Sequence, residues 1–231
     1  MGYQIKEIFY TLQGEGAMVG RPAVFCRFTG CNLWSGREED RAQAICTFCD
    51  TDFRGTDGLN GGTYPDAEHL AMKIASCWPD LSKGTPYVVC TGGEPLLQMD
   101  VAFTQAVKKY GFEIAVETNG TKPIVDGIDW VCVSPKSTAN LVVTQGNELK
   151  LVYPQMDASP EQFEKLSFDH FYLQPMDGEN AKTTEQQTLA YCLTTVSQLM
   201  SPIAPFYSDW LYRNLTGTQD ENSVHISDFP T

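Results

Sequence analysis

Two hydrophobic patterns alternate along the chain. Short runs rich in β-branched and aromatic residues occupy positions 23–28, 87–90, 114–117, 130–134, 148–152 and 171–174, and predict strands. Stretches whose apolar positions recur every three or four residues occupy 67–77, 101–110 and 161–166, and predict helices with one apolar face. Repeated strand-then-helix units imply a parallel sheet covered by helices, because parallel neighbours need a long crossover. The expected fold is α/β, an incomplete (β/α) barrel of about six parallel strands; eight would not fit.

Polar, glycine-bearing segments follow these strands directly: Thr29-Gly30-Cys31, Thr91-Gly92-Gly93-Glu94-Pro95, Thr118-Asn119-Gly120, Pro135-Lys136 and Pro175-Met176-Asp177-Gly178. The carboxyl ends of parallel strands share one mouth, so these separated segments are expected to converge on one site. After residue 186 the rhythm stops. Residues 187–200 predict a helix with Leu189, Leu193, Val196 and Met200 on one face, and a break at Pro202 and Pro205 precedes a second short helix. The closing residues 217–231 are polar and expected to be mobile.

With 231 residues the chain suffices for one domain with a sizeable core, or one domain plus an appendage. No apolar run approaches the roughly 20 residues of a membrane span, and the opening MGYQIKEIFYTLQGEG lacks a signal-peptide core, so a cytoplasmic protein without membrane contact is expected. The net charge of −13, from 16 Lys+Arg against 29 Asp+Glu, opposes direct binding of a phosphate backbone.

Eight cysteines without an export signal suggest reduced thiols, some of them metal ligands. Cys77, Cys90, Cys132 and Cys192 stand singly among apolar neighbours and read as small buried hydrophobes. Cys46-Thr-Phe-Cys49 forms a C-x-x-C pair, and fourteen residues separate it from Cys31. In residues 23–28 side chains alternate faces, which puts Cys26 with Val24 and Phe28 in the core and Arg27 with Phe25 opposite. Three thiolates then remain, a set that suits a cubane with one open iron. A closed zinc site with Cys26 as fourth ligand and a simple redox dithiol are the alternatives, though neither uses the glycine-rich segments.

Cys31-x14-Cys46-x2-Cys49, with Phe48 before the last cysteine and Thr91-Gly92-Gly93-Glu94-Pro95 after the second strand, resembles the radical S-adenosylmethionine (SAM) superfamily. An insertion of this length marks one branch of the 7-carboxy-7-deazaguanine synthases. Leu12-Gln13-Gly14-Glu15-Gly16, Cys49-Asp50-Thr51 and Gln174-Pro175-Met176-Asp177-Gly178 also look like that family, so the resemblance runs over residues of about 3–180.

The resemblance implies a homodimeric lyase that converts 6-carboxy-5,6,7,8-tetrahydropterin to 7-carboxy-7-deazaguanine with loss of ammonia, a step of queuosine biosynthesis. It implies a [4Fe-4S] cluster on Cys31, Cys46 and Cys49, S-adenosylmethionine reused as cofactor, Mg2+ on Thr51, and an electron donor such as a flavodoxin or ferredoxin. Phe48, Cys49, Asp50, Gly93, Glu94, Ser134, Pro135, Lys136, Gln174, Pro175, Met176 and Asp177 would form the SAM pocket. Leu12, Gln13, Gly14 and Thr91 would hold the pterin, with Glu15 and Glu117 weaker candidates for its amino groups, and Arg27 would pair with its carboxylate, since guanidinium binds carboxylate in a bidentate way. Each has a plainer reading: a strand-to-helix turn for the TGGEP segment, a solvated cation for Lys136, a structural ion pair for Arg27 and a turn residue for Thr51. Another small radical SAM enzyme, such as a glycyl-radical-activating enzyme, is the competing enzymatic reading.

The chain departs from that family at its end. Members continue past the QPMDG segment into a helix and a final strand carrying a Gln-Thr-His-Lys-like segment, and their extreme C-terminus contacts substrate. Residues 188–230 instead resemble a helical segment of isoleucyl-tRNA synthetases, through Ser197-Gln-Leu-Met-Ser-Pro-Ile-Ala-Pro-Phe-Tyr-Ser-Asp-Trp-Leu. The chain reads as a splice near residues 181–188, giving a radical SAM domain over residues 1–182 and an unrelated helical tail over 183–231.

Overall fold

An eight-stranded sheet in the order β3-β1-β2-β4-β5-β6-β7-β8 organises the first part of the chain. Its strands are β1 (Tyr3–Leu12), β2 (Pro22–Phe28), β3 (Gly62–Tyr64), β4 (Tyr87–Gly92), β5 (Glu113–Thr118), β6 (Trp130–Val133), β7 (Gln145–Tyr153) and β8 (Ser167–Pro175). The structure is a computed structural model that describes residues 2–176, 181–217, 223 and 224. The chain divides into two compact units, Met1–Leu173 and Gln174–Thr231.

The sheet is open and largely parallel: β2, β4, β5, β6 and β7 run parallel to one another, whereas β1 lies antiparallel to both β2 and β3. All six strands expected from the sequence are present. The two additional strands are β1 and the short β3. A register shift between Ile5 and Glu7 interrupts the pairing of β1 with β2, so Ile5, Lys6 and Ile8 are all buried and the clean alternation that would advertise a strand is lost.

Side-chain alternation gives the sheet two different faces. Val24, Cys26 and Phe28 of β2, Val88 and Cys90 of β4, and Ile114 and Val116 of β5 point into the main core, beneath helices α1 (Ala67–Cys77) and α2 (Val101–Lys108). Ala23, Tyr87, Val89 and Ala115 point the other way, against Met18, Phe25 and Trp130. Cys26 therefore lies where the alternation placed it, fully buried on the helix-covered face. Cys90 and Cys132 are buried as expected, but Cys77 is half-buried and Cys192 exposed.

Helix α1 matches its predicted bounds, and α2 stops two residues short of them. Residues 161–166 do not form the expected helix: a single 3-10 turn, Pro160–Gln162, is followed by turns that seat Phe163 and Leu166 beside the cluster around Leu149 and Leu151. Six residues give too few propagating bonds to offset helix nucleation, so tertiary burial decides the path.

In the second unit, α3 (Ala181–Met200) and α4 (Pro205–Thr216) flank the expected break. Pro205 starts α4, and Gly217 ends it in the left-handed region at φ 67°. The expected apolar face of α3 is not covered, because Leu189 is 59% and Val196 45% exposed, whereas Ser197 is buried. Among the described residues no helix is long and apolar enough to cross a membrane.

Asp100 ties two of these elements together. Its Oδ1 accepts from the Phe103 N–H at 2.9 Å, capping α2, and from the Tyr3 hydroxyl of β1 at 2.7 Å. Asp100→Ala is expected to lower unfolding stability by about 1–3 kcal/mol, the sum of a helix cap and a hydrogen bond. Tyr3→Phe is expected to lower it by about 1 kcal/mol; urea denaturation of both variants checks the order.

Candidate active site

One lateral row of residues crosses the uncovered face of the sheet. Strand register pairs Glu7 with Arg27, Arg27 with Thr91, Glu117 with Cys132, and Cys132 with Glu148, and the Thr91 hydroxyl completes the row by donating to Glu117 Oε2 at 3.2 Å. Because parallel strands in register keep their side-chain phase, these chemically unlike residues all face the same way. A small pocket opens over the Glu117, Cys132 and Glu148 end of this row, with Tyr87, Trp130 and Met18 as apolar walls and Gln13, Glu15, Glu117 and Glu148 as its polar lining. An apolar pocket with a few convergent polar groups is the usual form of a small-molecule site.

The residues expected for substrate differ in placement. Gln13 is buried and donates to Glu117 Oε1 at 3.1 Å. Leu12 is exposed at the end of β1, and Gly14 follows in the loop. Arg27 faces the same side as Thr91 and Glu117, but its Nε bonds Glu7 Oε1 at 2.8 Å, so the guanidinium is already anchored on one edge.

The loop that follows β2 carries the three thiols. Cys46 and Cys49 are hydrogen-bonded to each other: the Cys46 thiol donates and pulls Cys49 down to about 6, and the same bond, with burial, pushes Cys46 up. Burial pushes Cys31 up, against the Leu33 and Trp34 N–H groups. Lys136 supplies the local positive charge. Burial pulls it down, while the two nearby thiols favour its charged form and it in turn favours theirs.

Lys136 Nζ donates to Ser134 Oγ and lies 5.8 Å from the centre of the Phe48 ring. Pro135 is buried, and its carbonyl accepts from Gln155. Asp50 is exposed and accepts from the Thr51 hydroxyl at 3.3 Å, which leaves two hard oxygen donors side by side. Gln174 and Pro175 end β8 and Met176 follows, all within the second unit; Asp177 lies outside the described residues.

The TGGEP segment has a role that its glycines explain. The Gly93 N–H donates to Phe28 O, and the Glu94 N–H to Gly30 O at 2.9 Å, so this turn lies flat against the chain entering Cys31. A Cβ at Gly93 would sit 2.0 Å from Gly30 O, and one at Gly92 would sit 2.2 Å from Phe28 O. No other residue fits there. Glu94 is fully buried, and its carboxylate accepts from Leu96 N, Thr118 Oγ1 and Asn119 N at 2.8–3.1 Å. Burial pushes its carboxyl up, opposed by those three donors. Glu94 thus fastens the β4 turn to the β5 turn.

Sequence reasoning missed three residues. Arg41, within the long insertion, stacks over Trp34 at 4.1 Å and donates through Nη1 to the carbonyls of Thr47 and Cys49, each at 2.9 Å, which fixes the C-x-x-C turn. Glu148 and Lys150 of β7 face the cavity region from inside a strand that reads as ordinary core. Arg41 had no local signal. Two charged residues at i and i+2 of an otherwise apolar strand were the available hint for the other pair.

Among the described residues no three His, Cys, Asp or Glu side chains converge on a single metal ion. A cubane makes no such demand, because each thiolate binds a different iron. The zinc reading loses its fourth ligand, since Cys26 is buried on the opposite face of β2 from Arg27.

Comparison with known proteins separates the chain into two resemblances. It is 61% identical over 193 residues to a 7-carboxy-7-deazaguanine synthase of Bordetella pertussis, covering 84% of this chain and 91% of that one. It is 58% identical over 192 residues to another of the same name from Burkholderia multivorans, covering 83% and 91%. Among solved structures it is similar to the crystal structure of QueE from Escherichia coli, with a TM-score of 0.59, 27% identity, and coverage of 83% of this chain and 90% of that one. The family model for the anticodon-binding domain of tRNA ligase matches residues 162–231, beginning before the 188–230 expected from the sequence.

Gly93→Ala is expected to force the Cys31 loop off the β4 turn, since its methyl group meets backbone rather than a yielding side chain. Iron and sulfide per chain after anaerobic reconstitution are expected to fall several-fold. Reconstitution at the parent level would show that the close approach does not position Cys31.

Proposed function

The chain belongs to the 7-carboxy-7-deazaguanine synthase family, and from that membership we propose which of its residues carry the reaction. It is a radical SAM lyase of queuosine biosynthesis that uses a [4Fe-4S] cluster, S-adenosylmethionine and Mg2+. The reaction converts 6-carboxy-5,6,7,8-tetrahydropterin to 7-carboxy-7-deazaguanine and ammonia, which together account for every atom of the substrate. It acts on a small molecule and not on nucleic acid.

Cys31, Cys46 and Cys49 hold the cluster. Their chemistry fits it, because thiolate is the ligand iron–sulfur centres need and Lys136 favours the thiolate forms. Loaded with S-adenosylmethionine, the cluster supplies one-electron cleavage that starts carbon-centred radical chemistry. Phe48, Cys49, Asp50, Gly93, Ser134, Pro135 and Lys136 bind the nucleoside. Glu94 acts through the loops it fastens, since its acceptor oxygens already have protein donors. Thr51 holds Mg2+, with substrate and water oxygens completing a hard-donor shell.

Arg27 orients the substrate carboxylate, with Glu7 holding the guanidinium from behind. Gln13, Thr91 and Glu117 meet the pterin ring, and Leu12 and Gly14 bound it. The single observation that carries this reading is the lateral row from Arg27 to Glu117 on the face of the sheet that also carries the cavity. We further propose a homodimer reduced by a flavodoxin or ferredoxin, with residues 1–182 as the functional body.

Residues 183–231 contain no counterpart of the family's Gln-Thr-His-Lys-like closing strand. The match to an anticodon-binding domain does not bring RNA binding with it. Residues 162–231 hold three Lys or Arg against nine Asp or Glu, a balance that repels phosphate.

Anaerobic reconstitution is expected to give an EPR-active cluster that cleaves S-adenosylmethionine, and Cys31→Ala, Cys46→Ala or Cys49→Ala is expected to abolish both. Product formation from 6-carboxy-5,6,7,8-tetrahydropterin is expected at least about tenfold below that of the Burkholderia multivorans relative, a loss of ~1.4 kcal/mol or more in transition-state stabilisation. Absence of a cluster sinks the assignment. A rate equal to the relative's sinks the impairment alone.

A further inference from the structure

The segment 13–18 crosses the cavity face of the sheet as an irregular loop containing one short 3-10 turn, Gly16–Met18. Backbone pairs from Gln13 to Arg21 and Gly20 close its base. Further ties reach across the sheet, from Gln13 to Glu117 of β5 and from Ala17 and Glu15 to β7. Glu148 is 3% exposed; its Oε2 accepts from the Ala17 N–H at 3.0 Å and its Oε1 faces the Cys132 thiol at 3.6 Å. Gly16 stands at φ +69°, and a Cβ there would lie 2.0 Å from Glu148 Oε1, so the carboxylate packs flush against loop backbone.

Two residues further along the same strand, and so on the same face, Lys150 donates to Glu15 Oε2 at 2.6 Å and to Glu117 Oε1 at 3.4 Å. Its side chain is 8% exposed. Glu117 also accepts from Gln13 Nε2 and Thr91 Oγ1. Burial alone would lower the Lys150 ammonium, but Glu117, Cys132 and Glu15 more than offset it and leave it raised, hence charged. The Lys150 ammonium bonds both Glu15 and Glu117; without it these two carboxylates repel each other across the loop.

We infer that Lys150 and Glu148 are positioning residues that pin the 13–18 loop across the sheet, Glu148 through the Ala17 amide and Lys150 through a Glu15–Lys150–Glu117 bridge. The loop they fix presents Gln13 and Gly14 to the pterin, and in that respect the inference rests on the function proposed above. Their effect falls on substrate binding, leaving the cluster alone.

The test uses reconstituted full-length chain with Lys150→Met, Glu148→Gln and Lys150→Arg. Without substrate, amide hydrogen exchange over residues 14–20 is expected to quicken about tenfold in Lys150→Met and in Glu148→Gln, while β4 and β5 stay protected and iron content is unchanged. Lys150→Arg, which keeps the bridging charge, is expected to recover most of the protection. With 6-carboxy-5,6,7,8-tetrahydropterin, KM is expected to rise about tenfold with a smaller change in kcat, the mark of lost binding rather than lost chemistry. Unchanged loop exchange in both variants overturns the inference, as does loss of protection throughout the sheet in the near-isosteric Glu148→Gln. Should the parent chain not turn the pterin over, the exchange arm still decides the inference, and only the functional reading falls.

Discussion

The register between β2 and β4 is the constraint on which the site depends. It sets Arg27 beside Thr91 on one face, and at the strand ends it brings the Gly93 and Glu94 amides against Phe28 O and Gly30 O. A slip of one residue would turn Arg27 into the helix-covered core and Cys26 onto the cavity side. The slip is prevented from both faces at once: Val24, Cys26 and Phe28 are buried under the helices, and the backbone contact at Gly92 and Gly93 admits no side chain. The row from Arg27 to Glu117 and the placement of the cysteine loop are thus two outcomes of one pairing.

That arrangement also fixes cations within an acidic chain. The chain carries −13 overall, yet Arg27, Lys136 and Lys150 are each placed where partners fix them: Glu7 on Arg27, Ser134 on Lys136, Glu15 and Glu117 on Lys150. Exposed charges elsewhere are screened within about 8 Å at physiological salt, so they add little at the site. In the buried positions one ammonium outweighs a distant surplus of carboxylates. The bond between the two thiols is the larger influence, raising Cys46 and lowering Cys49, and Lys136 adds a smaller preference for both thiolate forms.

The parts legible in the sequence are those fixed by local period and by motif. Six strands, α1, and the inward face of Cys26 follow from alternation in short runs. The convergence of the TGGEP segment with the cysteine loop follows from strand-end logic. What stayed hidden depends on distant partners. The bulge in β1 erases its alternation, and residues 161–166 keep a helical pattern that Phe163 and Leu166 override by burial. Glu94 was readable as part of a motif, but its saturation by Leu96, Thr118 and Asn119 was not, because two of those donors lie 24 and 25 residues away. Arg41 and Lys150 look like ordinary charges until the fold supplies carbonyls for one and carboxylates for the other.

The second unit shows the converse case, a segment whose pattern is right and whose packing is poor. Within it Ser197 and Ser208 are each 1% exposed, whereas Ile203 is 84% and Phe206 92% exposed. Burying serine in place of phenylalanine forgoes most of the ~1.5–3 kcal/mol that a large apolar side chain contributes. Ser208 Oγ is buried without a hydrogen-bond partner among the described residues, which costs about 1–3 kcal/mol. Among the described residues this helix pair buries small polar side chains while leaving large apolar ones exposed. The match to an anticodon-binding domain falls on these residues, whose three Lys or Arg against nine Asp or Glu oppose contact with a phosphate backbone.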